Sequence, residues 1–205
     1  MFCVIGRFTV LLFFFFKQKT AYETYYGLVG SEMCKRDRAR LDARRFDVQS
    51  LVLCPTRELA DQVTVEIRRL ARAEENIKIV TLCGGIALRG QRASLEHGAH
   101  IVVGTPGRIM DHLERGYLNL ESLNTLVLDE ADRMLDMGFF DDIATVVKQI
   151  PKERQTLLFS ATYPEGIEKL ARCARGAKTA ATFTALLLLQ PSTVRAPPRL
   201  ARESL

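Results

Sequence analysis

The chain has 205 residues, of which 47% are hydrophobic and 26% charged, which is ordinary for a globular protein with room for one sizeable core. Its five cysteines (Cys3, Cys34, Cys54, Cys83 and Cys173) show no metal-ligand spacing, and an odd number suits no disulfide framework, so a reducing cytoplasm is the expected compartment. A net charge of +5 suits a polyanionic partner without identifying one; His97, His100 and His112 form no HExxH-type pair, and His97 and His100, beside an expected strand, read as surface or core residues rather than metal ligands.

In chain order, residues 1–39 stand apart. Val10–Phe16 is an apolar run between Arg7 and Lys17. It resembles a signal-peptide core but has no clear small-x-small cleavage site, and it falls short of the roughly 20 apolar residues that span a bilayer. The string from Phe13 to Glu23 reads instead as translated sequencing adapter, so the segment is expected to be artefactual. A basic stretch, Lys35-Arg36-Asp37-Arg38, closes it.

From residue 40 short apolar runs alternate with helical patterns. Leu51–Cys54 predicts a buried strand, and Leu59, Val63, Ile67, Leu70 and Ala71 recur near a 3.6 period, predicting a helix. Strands follow at Ile77–Leu82, Ile101–Val103, Thr125–Leu128 and Thr156–Phe159. Helices are expected over Leu88–Leu95, Arg108–Leu113, Phe139–Ile150 and Pro164–Ala171. Fully apolar strands alternating with helices predict an α/β fold, a parallel sheet with helices on both faces, whose ligands gather at the carboxyl ends of the strands. Residues 176–205 turn Ala/Thr/Leu-rich and then Pro/Arg-rich, and are expected to be a disordered tail.

The distinctive clusters lie where strands stop. Leu126-Val-Leu-Asp129-Glu130-Ala131-Asp132 puts carboxylates at the rim of the sheet, where one can hold magnesium through water and another can orient an attacking water. The same acids would also suit the first turn of a helix. Ser160-Ala161-Thr162 ends the last strand, so its two hydroxyls are candidates to bond Asp132, while Thr162 with Glu165 also fits a capping box. Pro55-Thr56-Arg57, Gly84-Gly85 and Thr105-Pro106-Gly107-Arg108 end three other strands. Thr56 and Thr105 are expected to cap helices, with Pro106 at the first helical position. Helix N-termini, two arginines and a Gly-Gly pair together read as a surface that follows phosphates. Plain capping and turn chemistry is the alternative for any one of them.

Pro-Thr-Arg-Glu-Leu-Ala, Gly-Gly, Thr-Pro-Gly-Arg, Asp-Glu-Ala-Asp and Ser-Ala-Thr, in this order and spacing, resemble the motifs of DEAD-box ATP-dependent RNA helicases, over about two-thirds of the chain. The longer string from Arg40 to Arg172 is similar to the bacterial DbpA-type subfamily, which acts on large-subunit ribosomal RNA. The resemblance implies a partial RecA-like domain over residues 40–175, acting with ATP and Mg2+ on RNA as a cytoplasmic, membrane-free monomer. Asp129 would organise the magnesium through water and Glu130 would be the hydrolytic base. Asp132, Ser160 and Thr162 would couple ATP state to RNA remodelling. Pro55, Thr56, Arg57, Gly84, Gly85, Thr105, Pro106, Gly107 and Arg108 would line the RNA backbone.

The chain also departs from that pattern. No Gly-x-x-x-x-Gly-Lys-Ser/Thr phosphate loop occurs in the sequence, nor the family's adenine-reading segment or second RecA-like domain. The expectation is therefore an incomplete sheet lacking the phosphate-loop strand, and a chain that does not hydrolyse ATP. The bare edge beside the last strand would invite aggregation, with Val10–Phe16 or Ala185–Leu189 as candidates to fill it.

Overall fold

The computed structural model describes residues 41–72, 76–162 and 165–174. The expectations for residues 1–39 and 176–205, and for a strand from either filling a sheet edge, lie outside the described residues.

Five strands and six helices alternate along this stretch. They are β1 (Ser50–Leu53), α1 (Arg57–Ala71), β2 (Ile79–Leu82), α2 (Leu88–Glu96), β3 (Ile101–Gly104), α3 (Pro106–Glu114), β4 (Thr125–Leu128), α4 (Ala131–Asp136), α5 (Phe140–Lys148), β5 (Gln155–Leu158) and α6 (Glu165–Ala174). All five expected strands form, and all pair in parallel in the order β2-β3-β1-β4-β5. The strands are apolar on both sides because both faces are covered. Leu51, Leu53, Leu82, Val102, Leu126, Leu128 and Leu158 pack on one face with Ile109, Met134, Ile143 and Leu170 from α3 to α6. Val52, Ile101, Val103, Val127, Leu157 and Phe159 pack on the other with Leu59, Ala60, Val63 and Ile67 of α1. Each fully buried Leu or Ile contributes about 1.5–3 kcal/mol.

The ladders are in step. Leu53 pairs with Gly104 and Leu128, Gly104 with Leu82, and Leu128 with Leu158. All five strands therefore stop on one line, and the loops that follow them form one rim. A Cβ on Gly104 would run into the Leu82 carbonyl, so this end of β3 tolerates only glycine.

Two boundaries differ from expectation for physical reasons. β2 starts at Ile79 rather than Ile77, because the Lys78 N–H turns to the ring Nδ1 of His100 at 3.0 Å. The expected Phe139–Ile150 helix is preceded by a separate short one, α4, and Gly138 at φ +80° makes the bend between them. His100 is fully buried, bonded through its other nitrogen to the Ala43 carbonyl at 3.2 Å, so it fills the core as expected. At the foot of β5 the buried Arg154 donates to the carbonyls of Pro151 (2.6 Å) and Ala174 (2.7 Å), closing the last turn of α6.

Candidate functional site at the strand-end rim

Because strand order differs from chain order, the rim divides laterally. The loops after β2, β3 and β1 lie side by side and carry glycines and arginines. Those after β4 and β5 carry carboxylates and hydroxyls.

In the acidic half, Asp129 directly follows β4 and is 3% exposed, its backbone N–H bonded to the Leu53 carbonyl at 3.0 Å. Its Oδ1 accepts the Glu130 N–H at 3.0 Å. Glu130 is the residue before α4 and sits in the left-handed region at φ 51°, ψ 52°. A non-glycine residue there costs on the order of 1 kcal/mol, a strain characteristic of functional sites. Its carboxylate lies 3.4 Å from Arg133. Asp132, in the first turn of α4, reaches across to the loop after β5. Its Oδ2 accepts both the Thr162 N–H (2.9 Å) and the Thr162 hydroxyl (2.8 Å). Burial alone would raise the Asp132 carboxyl, but the Thr162 bonds and the Arg133 N–H outweigh it and hold the group below its ordinary range. Ser160 is buried and donates to the Thr162 carbonyl at 2.6 Å. Ser160 gives its proton to the Thr162 carbonyl yet stands close enough to Asp132 to help lower its carboxyl, so both expected hydroxyls bear on the carboxylate, with Thr162 making the two direct bonds. The Glu165 half of the expected capping box lies outside the described side chains. The Ala131 N–H completes the link by donating to the Phe159 carbonyl at 2.9 Å.

In the basic half, Gly85 adopts φ +75°, and a Cβ on it would stand 3.0 Å from Arg57 Nη1. The Arg57 guanidinium thus lies against the Gly84–Gly85 turn, with Asp61 a distant partner at 3.8 Å. Arg108 approaches the same loop from α3, donating from Nη2 to the Ile86 carbonyl at 3.2 Å. Gly84, Gly85, Ile86 and Gly107 are exposed, whereas Pro55 and Pro106 are buried and shape their loops from beneath. Thr56 caps α1 as expected, its hydroxyl accepting the Leu59 N–H at 3.4 Å. Thr105 does not use its hydroxyl as a cap. Pro106 has no N–H to offer, and the Thr105 backbone carbonyl takes the Arg108 and Ile109 N–H groups at 3.1 and 3.0 Å. Cys54 and Cys83 stand between the halves and the core. Burial first, then the Asp129 charge, raises the Cys54 thiol, and burial pushes Cys83 up to about 11, so both are inert thiols.

No cluster of three or more His, Cys, Asp or Glu side chains suited to a metal occurs among the described residues. Asp129 with Glu130 offers the hard oxygen donors that Mg2+ accepts when phosphates and waters complete its shell. The pair therefore fits a magnesium ion whose other ligands are phosphates and waters. Three positions escaped the sequence reading as parts of the site. Gly104 carried a signal in being a glycine at a strand end. The buried pair Gln91 and His112 carried none, because a polar residue on a helix looks the same in sequence whether it faces water or the core.

Residues 33–170 match the DEAD/DEAH box helicase family. Over 132 residues the chain is 61% identical to the ATP-dependent RNA helicase DbpA of Escherichia coli (strain K12), covering 64% of this chain and 29% of that protein. It is 49% identical over 131 residues to the ATP-dependent RNA helicase CshA of Listeria monocytogenes, covering 64% and 25%. Among solved structures, a DEAD box protein from the hyperthermophile Methanococcus jannaschii superposes with a TM-score of 0.64 at 41% identity, over 71% of this chain and 38% of that one. The parallel five-stranded sheet with its helices is the RecA-like arrangement of these proteins. The chain spans less than a third of the curated relatives it matches.

Proposed function

Because the chain belongs to the DEAD/DEAH box helicase family, we propose that residues 40–175 serve as the first RecA-like domain of an ATP-dependent RNA helicase, and that these 205 residues alone bind RNA backbone without hydrolysing ATP. The observation that carries this reading is the division of the rim. Asp132 grips Thr162 across the β4 and β5 loops, beside a separate surface where Arg57, Gly85 and Arg108 meet.

In this reading Asp129 would hold magnesium through water, and Glu130 would take the proton of the attacking water, once the rest of an ATP site is supplied. Asp132, Thr162 and Ser160 transmit the state of the nucleotide pocket to the neighbouring loop. The basic half takes phosphates through guanidinium groups, the α1 and α3 N-termini and exposed glycine backbone. Such contacts follow the backbone and read no sequence. The proposal includes a ribosomal RNA target, a monomeric state and a cytoplasmic setting. Among the described residues no helix is long and apolar enough to cross a membrane.

The absence of hydrolysis rests on the phosphate cradle. Backbone N–H groups and a lysine of a Gly-x-x-x-x-Gly-Lys-Ser/Thr loop hold the phosphates in this chemistry, and the sequence contains no such loop. Two measurements on the purified chain test the proposal. Magnesium- and RNA-dependent release of phosphate from ATP is expected to stay at background, and a clear RNA-stimulated rate overturns that part. Fluorescence anisotropy with a labelled oligouridylate is expected to show binding that weakens steeply with salt and ignores ATP. No binding at low salt removes the RNA-backbone reading.

A further inference from the structure

Behind the basic half of the rim runs a buried polar chain. Gln91 of α2 is 4% exposed, and its amide donates to the Cys83 carbonyl at 2.8 Å. Its amide oxygen lies 2.9 Å from Nε2 of His112, a fully buried residue of α3. An amide oxygen only accepts, so His112 carries its proton on Nε2. Its Nδ1 has no hydrogen-bond partner. Tyr117 stands edge-on to the ring at 6.2 Å and is covered on its own face by Arg92, 4.8 Å from the ring centroid.

The chain ends on the residue before Gly84-Gly85. His112 also lies one helical turn after Arg108, which holds the other side of the same loop through the Ile86 carbonyl. The Cys83–Ile86 turn is thus pinned twice from α3, in front by Arg108 and behind by His112 through Gln91. Apolar side chains would fill this space without leaving an orphan nitrogen. What the polar chain adds is direction, since a hydrogen bond fixes where the Cys83 carbonyl points and therefore how the glycine turn faces.

We propose that Gln91 and His112 are positioning residues that hold the Gly84–Ile86 turn and the α3 N-terminus in one register for an RNA backbone. This rests on the RNA-backbone reading above. The test uses the 205-residue chain and a labelled oligouridylate, well below each variant's melting temperature. His112→Leu and Gln91→Met are each expected to raise Kd about tenfold, and together no more than either alone, since they break one chain. His112→Gln restores binding to within about twofold, because its amide N–H stands where the imidazole Nε2–H does. The slope of log Kd against log salt stays unchanged in all of these, whereas Arg57→Ala lowers it by about one. Amide exchange at Gly84 and Gly85 is expected to quicken in Gln91→Met, a readout that needs no RNA and no folded His112→Leu.

Equal weakening by His112→Leu and His112→Gln, or unchanged Kd in Gln91→Met, overturns the proposal while leaving RNA binding intact. If the parent chain itself binds no RNA, the backbone reading fails. Unchanged exchange at Gly84 and Gly85 in Gln91→Met then separately overturns the positioning role.

Discussion

The two halves of the rim are built in opposite ways. In the acidic half the groups are spent on one another: Asp132 takes two bonds from Thr162, Ser160 holds the Thr162 carbonyl, and the Ala131 N–H reaches Phe159. In the basic half the arginine partners are long or lie on backbone. Arg57 is 3.8 Å from Asp61, and Arg108 is 3.8 Å from Asp111 while donating to the Ile86 carbonyl. The exposed Arg57–Asp61 pair contributes little to stability at that length, whereas the Arg108 side chain is only 16% exposed. One half is cross-linked to keep a relationship between two loops. The other is scaffolded from behind and leaves the Arg57 charge facing outward, which is the arrangement an external polyanion needs.

That contrast can be broken at several points. The largest effect is expected from Gly104→Ala, whose Cβ would drive into the Leu82 carbonyl under the basic half and cost about 3 kcal/mol in urea unfolding. Arg57→Ala should leave unfolding almost unchanged while raising the oligouridylate Kd about tenfold, and adding Arg108→Ala, which also frees the Ile86 carbonyl, should bring the rise to about thirtyfold. If Arg57→Ala lowers stability instead, Arg57 belongs to the scaffold and the contrast fails. Asp132→Ala should do the reverse, costing about 1 kcal/mol because the bonds it loses are partly exposed, with RNA affinity preserved.

The halves should also differ in acid. Burial first, and the Arg108 charge next, hold the His112 imidazole below its ordinary 6.5. The unfolded chain then binds the extra proton, so the His112 contribution is complete above pH 6.5 and is lost as pH falls from there toward the lowered native value. The Asp132 carboxyl is held below its ordinary 3.8, so its contribution persists until the pH drops beneath that figure. Urea midpoints followed from pH 7 to pH 3 should therefore show an early loss that His112→Gln removes and a later one that Asp132→Asn removes. A single shared acid transition would merge the two halves. The smallest effect is expected from Glu130→Gly, which relieves the left-handed backbone and should stabilise by about 0.5 kcal/mol. A loss of stability there would show that the Glu130 side chain is structural.

Much of this architecture was legible before any coordinates. The apolar runs at Leu51, Ile101 and Thr125 stand out because strands buried on both faces admit little else, and the helical period from Leu59 to Ala71 marks the side of α1 that meets the sheet. The motif residues were identified by type and by their place at strand ends, and the structure brings Arg57, Gly85 and Arg108 together as it does Asp132 and Thr162. Thr105 was read one bond wrong, since a hydroxyl's choice between nearby partners depends on angles that spacing does not encode.

The amino-acid order by itself determined the elements, their alternation and the chemistry waiting at each strand end, because those follow from local periodicity and from side chains adjacent in the chain. Only the tertiary structure decided which strand ends are neighbours. The lateral order β2-β3-β1-β4-β5 gathers glycines and arginines on one side and carboxylates and hydroxyls on the other. It also decided that Glu130 turns left-handed and that Gln91 and His112 face inward. Strand pairing and the burial of polar groups are settled by contacts between residues far apart in sequence, where local pattern carries no information.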